Sequence, residues 1–278
     1  FLATGVPGFG SKHYEVTPNS QRQSVPEEPP SSPLMMENAR FRVEADHRGL
    51  LSVFDKSLGQ TIAQTRTYRP AELVLEHDEG SPWATLNPDR PQTGLSDYTQ
   101  LATVERGEGF ERLIYDVRTP RGMGFAGTAL VARITLTLVD GLDRLDIHVD
   151  AQWDAFNHRV RLAMPVPFGS RHIYEIPYGM LARKPYTPTY DWAGANGDWP
   201  AINWAGVEGA NESVAVLNRG LPSYCIEPDV VDTARPSPPR TPEAPTATPF
   251  AQPSGATLFV SLLRSPTIPT YLHEPQFY

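Results

Sequence analysis

The chain has 278 residues, with 24 Lys and Arg against 32 Asp and Glu and a formal net charge of −8. That balance argues against a basic face for nucleic acid or a polybasic one for membranes, and no apolar stretch approaches the roughly 20 residues of a spanning helix. The single cysteine, Cys225, excludes an intrachain disulfide framework and an all-cysteine metal site, and reads as a small buried apolar side chain.

The chain opens on Phe-Leu-Ala-Thr-Gly, which lacks the charged and apolar regions of a signal peptide, and stops on Glu-Pro-Gln-Phe-Tyr without a closing feature. A fragment of a longer chain is the simplest reading. The lack of a signal and of disulfides points to the cytoplasm. Proline accounts for 29 residues, about twice the ordinary share of roughly 5%. It concentrates in residues 17–34, read as a linker, and in 227–254, read as an insertion within the domain that spans 35–278.

Between these tracts the hydrophobic period is two. Residues 39–45 and 50–55 flank Asp46-His47-Arg48-Gly49, and 100–105 and 110–117 flank Arg106-Gly107-Glu108-Gly109, so each pair predicts a hairpin. Leu130, Ala132, Ile134, Leu136 and Leu138 alternate with polar residues, as do Leu145, Ile147, Val149, Ala151 and Trp153. With Asp140-Gly141 between them, 129–154 predicts a third hairpin, with Trp153 in the core. Val160 to Phe168 continues the alternation, but Pro165 and Pro167 demote its end to an edge or bend. Val214–Leu217 reads as a short strand. Leu258–Leu263 is apolar throughout and suits a strand covered on both faces. No window of 11 residues sustains a 3.6 period, so the fold is expected to be all-β, a large antiparallel β-sandwich.

Chemistry is sparse. The seven histidines show no metal-ligand spacing, and no nucleophile elbow or phosphate loop is present. Glu76-His77-Asp78-Glu79 offers ligand atoms, but neighbours on a strand face opposite ways, so it reads as a solvated strand end. Arg121 to Gly127 is glycine-rich without a following helix and reads as a hairpin connection. His148, Asp150 and Asp154 share the polar face of one strand, with His158 just beyond. They suit acid–base work on a sugar or, as the plainer reading, a solvated sheet face. Residues 174–204 differ in kind: Tyr174, Tyr178, Tyr186, Tyr190, Trp192, Trp199 and Trp204 lie among Gly, Pro, Asp and Asn, with Arg183 and Lys184. Rings for sugar C–H faces beside groups for hydroxyls suit carbohydrate, and equally a loop packed on a neighbouring domain.

Six strings in order carry a resemblance: VPGFGSKHY (6–14), ENARFRVEADHRGLLSVFDKSLG (37–59), VDAQWDAFNHRVRLAMP (149–165), YEIPYGMLAR (174–183), AVLNRGLPSY (215–224) and LFVSLLRSPTIP (258–269). Through them the chain resembles the C-terminal β-sandwich portion of glycoside hydrolase family 38 α-mannosidases. The resemblance implies a sandwich similar to the galactose-mutarotase-like supersandwich, incomplete at the C-terminus because the family adds strands after the Leu258 strand. It makes residues 1–16 the tail of a preceding β segment. It also implies a parent enzyme that hydrolyses terminal α-mannosides with retention, using zinc in a catalytic part that matches nothing in this chain.

No catalytic or metal residue is therefore expected here, and the chain alone is expected to be inactive. Its expected partners are the N-terminal catalytic and helical parts of the same enzyme and a mannose-containing carbohydrate, with a homo-oligomer left open. Arg183, Asp191, Trp192, Asp198 and Trp199 are the candidate substrate-binding residues, with Trp192, Trp199 and Trp204 as domain glue the alternative. A stand-alone carbohydrate-binding sandwich, and a mutarotase-like epimerase using His148 or His158 with Asp150 or Asp154, are the other open functions.

Overall fold

The computed structural model describes residues 3, 5–15, 33–78, 92–121, 129–154, 157–169, 171–184, 198–229 and 255–266. Its strands are, in chain order, β1 (Leu34–Glu37), β2 (Phe41–Asp46), β3 (Gly49–Asp55), β4 (Gln60–Gln64), β5 (Glu72–His77), β6 (Gln92–Gly94), β7 (Thr99–Gly107), β8 (Phe110–Arg118) and β9 (Ala129–Val139). There follow β10 (Leu145–Asp154), β11 (His158–Val166), β12 (Arg171–Ile176), β13 (Gly179–Arg183), β14 (Asp198–Pro200), β15 (Trp204–Glu208), β16 (Ser213–Leu217), β17 (Ser223–Pro228) and β18 (Ala256–Ser265). Among the described residues the only helical turn is the 3-10 segment Ser96–Tyr98, and no helix is long and apolar enough to cross a membrane.

The fold is all-β, as the period of two requires. Four antiparallel sheets form, with strand orders β1-β2-β3-β4, β10-β9-β8-β7, β14-β17-β18-β11-β5-β6 and β13-β12-β15-β16. The three expected hairpins are present. Asp46 pairs with Gly49, Gly107 with Phe110 and Leu138 with Leu145. The β7–β8 turn needs a left-handed residue and places Gly109 there, at φ 80°. Side chains from all four sheets meet in one core. Val43 and Leu50, Leu113 and Leu136, Leu73 and Leu162, and Tyr174 and Val207 belong to the same buried cluster.

One expectation holds and two change. First, the end of β11 is an edge, as its prolines indicate, although the strand itself lies inside the six-stranded sheet, between β18 and β5. Proline is tolerated because the β5 ladder ends at Ala163–Glu72, so Pro165, which lies opposite Thr257 of β18, removes no bond on the β5 side. Second, Trp153 is half-buried rather than central. β10 is the outer strand of its sheet, so its apolar face is covered only from one side. Trp153 packs on the edge of the core, and its Nε1 donates to Ser265 Oγ at 2.6 Å, tying β10 to the end of β18.

Third, the stretch from Tyr174 is not all loop. β12 and β13 form a hairpin, Ile176 opposite Gly179, around Pro177-Tyr178. Proline at the first corner and a left-handed second corner make this a type II turn, yet Tyr178 holds the position that favours glycine, at φ 66°. Of the Pro-rich tracts, 17–32 and 230–254 lie outside the described residues, while Leu34 opens β1 and Glu227 and Pro228 complete β17. Residues 122–127 of the glycine-rich run also lie outside them.

Trp153→Ala should cost about 3 kcal/mol, the low end for a large aromatic because the ring is only half covered. Trp153→Phe should cost about 1 kcal/mol through the lost indole hydrogen bond. Urea midpoints of the two variants check both values.

Candidate functional site

The two faces of the six-stranded sheet differ in chemistry. Leu73, Leu75, Val160, Leu162, Leu258, Val260 and Tyr224 point into the main core. The residues between them, Val74, Ala163, Phe259 and Cys225, form a second small cluster on the other face. That second face carries charge, and the charge is buried. Glu76 and Arg161 are 0% exposed and Arg159 is 2% exposed.

Glu76 of β5 sits between the two arginines of β11. Its Oε2 accepts from Arg159 Nε at 2.6 Å and lies 2.5 Å from Arg159 Nη2, while its Oε1 lies 2.5 Å from Arg161 Nη2. Arg159 reaches onward across the sheet, donating through Nη1 to Asp198 Oδ2 of β14. Arg161 Nη1 approaches Glu227 of β17 at 3.6 Å, and its guanidinium carbon lies over Phe259, 3.7 Å from the ring centre. The carboxylates offset the burial that disfavours the Arg161 cation, and its pKa is raised. Burial, with Glu227 and Asp198 nearby, pushes the Cys225 thiol well up, so Cys225 is the inert small side chain expected from the sequence.

The cluster escaped the sequence reading. Arg159 and Arg161 alternate with Val160 and Leu162, which is also how a strand with one solvated face reads. Glu76 and Asp78, expected at a solvated strand end, are both fully buried. Asp78 pairs with Arg264 at 2.5 Å. The usable signal was the pairing of Glu76 with the NHRVR string, and nothing in a single sequence places those strands side by side.

The candidate residues divide as follows. Arg183 ends β13, and its guanidinium lies 4.5 Å from the Trp199 ring centre and 5.6 Å from that of Tyr174. No carboxylate among the described residues pairs with it, and its buried Nε has no hydrogen-bond partner. Trp199 is half-buried against the main core. Asp198 is held by Arg159 rather than standing open. Asp191 and Trp192 lie outside the described residues. Trp204, half-buried, opens β15.

His148 and Asp150 meet at 3.2 Å, but their side chains are 71% and 72% exposed. His158 lies in a different sheet, buried against His77 with ring centres 5.5 Å apart. The strand pairing therefore separates the proposed acid–base set. Among the described residues no three His, Cys, Asp or Glu side chains converge on a metal position, so those residues do not fit a zinc ion. His172 of β12 is buried, and burial alone pushes its pKa down to about 4 from 6.5.

Glu76→Gln should cost about 3–5 kcal/mol, because it leaves two buried guanidinium groups short of their shared counter-charge. Asp116→Asn should cost under about 1 kcal/mol, since its bridge to Arg133 is largely solvated. Denaturant midpoints of the two variants, compared side by side, check the contrast. For His172 the folded pKa lies below the unfolded one. Its contribution is therefore complete above pH 6.5 and is lost as pH falls from 6.5 towards 4, by about 2 kcal/mol at pH 5. The drop in midpoint between pH 7.5 and pH 5 should be correspondingly smaller in His172→Leu.

The chain's relatives bear on this geometry. The profile described as the glycosyl hydrolases family 38 C-terminal domain matches residues 36–224. No curated protein matches the chain. Among solved structures, an alpha-mannosidase from Enterococcus faecalis V583 is similar with a TM-score of 0.62 at 14% identity, over 84% of this chain and 26% of that one. A protein in the glycosyl hydrolase family 38 from Enterococcus faecalis gives 0.61 at 13%, over 84% and 26%. At these identities the likeness is one of fold, and the chain spans about a quarter of the length of either structure. On the family match, which covers most of its length, the chain belongs to the glycosyl hydrolase family 38 C-terminal domain family.

Proposed function

We propose that the chain is the C-terminal, non-catalytic part of a retaining α-mannosidase that hydrolyses terminal α-mannosides. In this reading it shapes the sugar site through Arg183 and Trp199, and zinc and the reacting carboxylates belong to the N-terminal catalytic part. The four sheets, which share one core, are read as a sandwich of the galactose-mutarotase-like kind. A chain with one cysteine, the buried Cys225, has no intrachain disulfide, which suits a reducing compartment and supports the cytoplasm.

One observation carries the reading. Arg183 is a cation laid on Trp199 beside Tyr174, with no carboxylate partner among the described residues. Its remaining donors are suited to an acceptor from outside the domain, and a ring stacked under a guanidinium presents a flat surface for sugar C–H groups. The β12–β13 hairpin supports contact with the rest of a longer protein. Tyr178 is fully exposed and Met180 and Leu181 are exposed, apolar surface of the kind that interfaces cover. Asp191 and Trp192 remain with the sugar-facing group by their place in the segment, whereas the Arg159 pair assigns Asp198 to support.

The test uses an aryl α-mannoside. In the full-length protein Arg183→Gln should lower kcat/KM at least about tenfold while the unfolding midpoint shifts by less than about 1 kcal/mol. An unchanged kcat/KM overturns the assignment of Arg183. Turnover by purified residues 1–278 alone overturns the non-catalytic reading. Binding of mannose by the isolated domain, without any activity in the full-length protein, would make it a carbohydrate-binding sandwich instead.

A further inference from the structure

Trp199 and Arg183 come from different sheets. Arg183 ends β13 in the four-stranded sheet, and Trp199 is the middle residue of β14, the outermost strand of the six-stranded one. β14 is three residues long, pairs among the described strands with β17 alone, and ends in Pro200, which has no N–H to donate. So short an edge strand has little hold of its own on the direction of its tryptophan. Core packing covers part of the ring, and the residue before it anchors the backbone.

We infer that Arg159 is a positioning residue: through Asp198 it fixes β14 so that the Trp199 ring lies under the Arg183 guanidinium. The inference rests on the reading of that pair as sugar-facing, and adds the group that sets it in place. Arg159 is itself immobilised. It is 2% exposed and bound by Nε and Nη2 to the fully buried Glu76, which leaves Nη1 aimed across the sheet at Asp198. A planar fork gripped at one end directs its other end, which a single ammonium on a flexible stem cannot do. Asp198 lies opposite Cys225 and Trp199 opposite Tyr224, so successive residues take opposite faces of the sheet. Holding the carboxylate on the charged face therefore sets the ring on the core side, where it meets Arg183. A rigid line runs from Glu76 through Arg159, Asp198 and Trp199 to Arg183, joining two sheets.

Replacing Arg159 would strip a buried network, so the test is made at its outer end, where the Asp198 side chain is 15% exposed. Asp198→Asn in the full-length protein keeps the shape and removes the charge. Amide exchange at 198–200 and 181–183 should rise at least about tenfold more than at β5 and β11, over and above any general loss of stability from the missing counter-charge of Arg159. With an aryl α-mannoside kcat/KM should fall at least about tenfold, and Asp198→Asn should add nothing further in a Trp199→Ala background. Unchanged exchange at 198–200 and 181–183 overturns the positioning role whatever the kinetics. A general loss of stability with effects additive to Trp199→Ala overturns it too, as that is what a merely structural ion pair gives. Raised local exchange with full activity upholds the positioning and instead refutes the sugar-facing reading of Trp199 and Arg183.

Discussion

Two guanidinium groups share one carboxylate inside this domain, and much of the architecture answers to that arrangement. Arg159, Arg161 and Glu76 are all essentially inaccessible to water. Removing an ion from water costs several kcal/mol even after relaxation, and only close counter-charges repay it. Glu76 alone cannot balance two cations, so the network extends outward to Asp198 and Glu227 on the far strands of the sheet. The strands that carry these groups must lie in the order β14-β17-β18-β11-β5 for the charges to meet. Any slip of one residue would turn the arginines into the apolar core and Val160 and Leu162 out of it.

The same constraint accounts for smaller features. The register of β11 against β18 shifts between Val160 and Arg161, where Leu262 is passed over, so that Arg161 lies opposite Ser261 and can reach across to Phe259. Phe259 gives that cation an aromatic face in place of the water it lost. Surface charge in the domain works on other terms. His148 with Asp150 and Arg133 with Asp116 are open to solvent, and their mutual attraction is screened to little consequence. The distance between partners is similar in both settings; burial is what separates a contact that orders the fold from one that decorates it.

For function, the arrangement separates holding from touching. The charged face and the core fix where β13 and β14 stand, and the Arg183–Trp199 contact is the outer end of that construction. A domain with this layout presents a few rigid side chains at the outer end of a braced sheet, and the chain spans about a quarter of the length of its structural neighbours.

The sequence by itself determined the strand content, the three hairpins at Asp46–Gly49, Arg106–Gly109 and Asp140-Gly141, and the family. These are local properties: alternation sets which residues share a face, and Gly and Asp set where the chain turns back. It also marked out Arg183 and Trp199 through their unusual company of aromatic and polar residues. What lies on the far side of each face was decided only by the tertiary structure. Alternation in NHRVRL reads the same whether the arginines meet water or Glu76, which is 83 residues away from Arg159 along the chain. Likewise Pro165 marks the end of β11 as an edge because proline removes a donor, but only the tertiary structure shows that β5 is the neighbour that stops short there. Trp153 was placed on the right face but at the wrong depth, because burial depends on whether another layer covers the strand. Facing is a property of the residue and its neighbours in sequence, whereas covering belongs to strands brought together from distant parts of the chain.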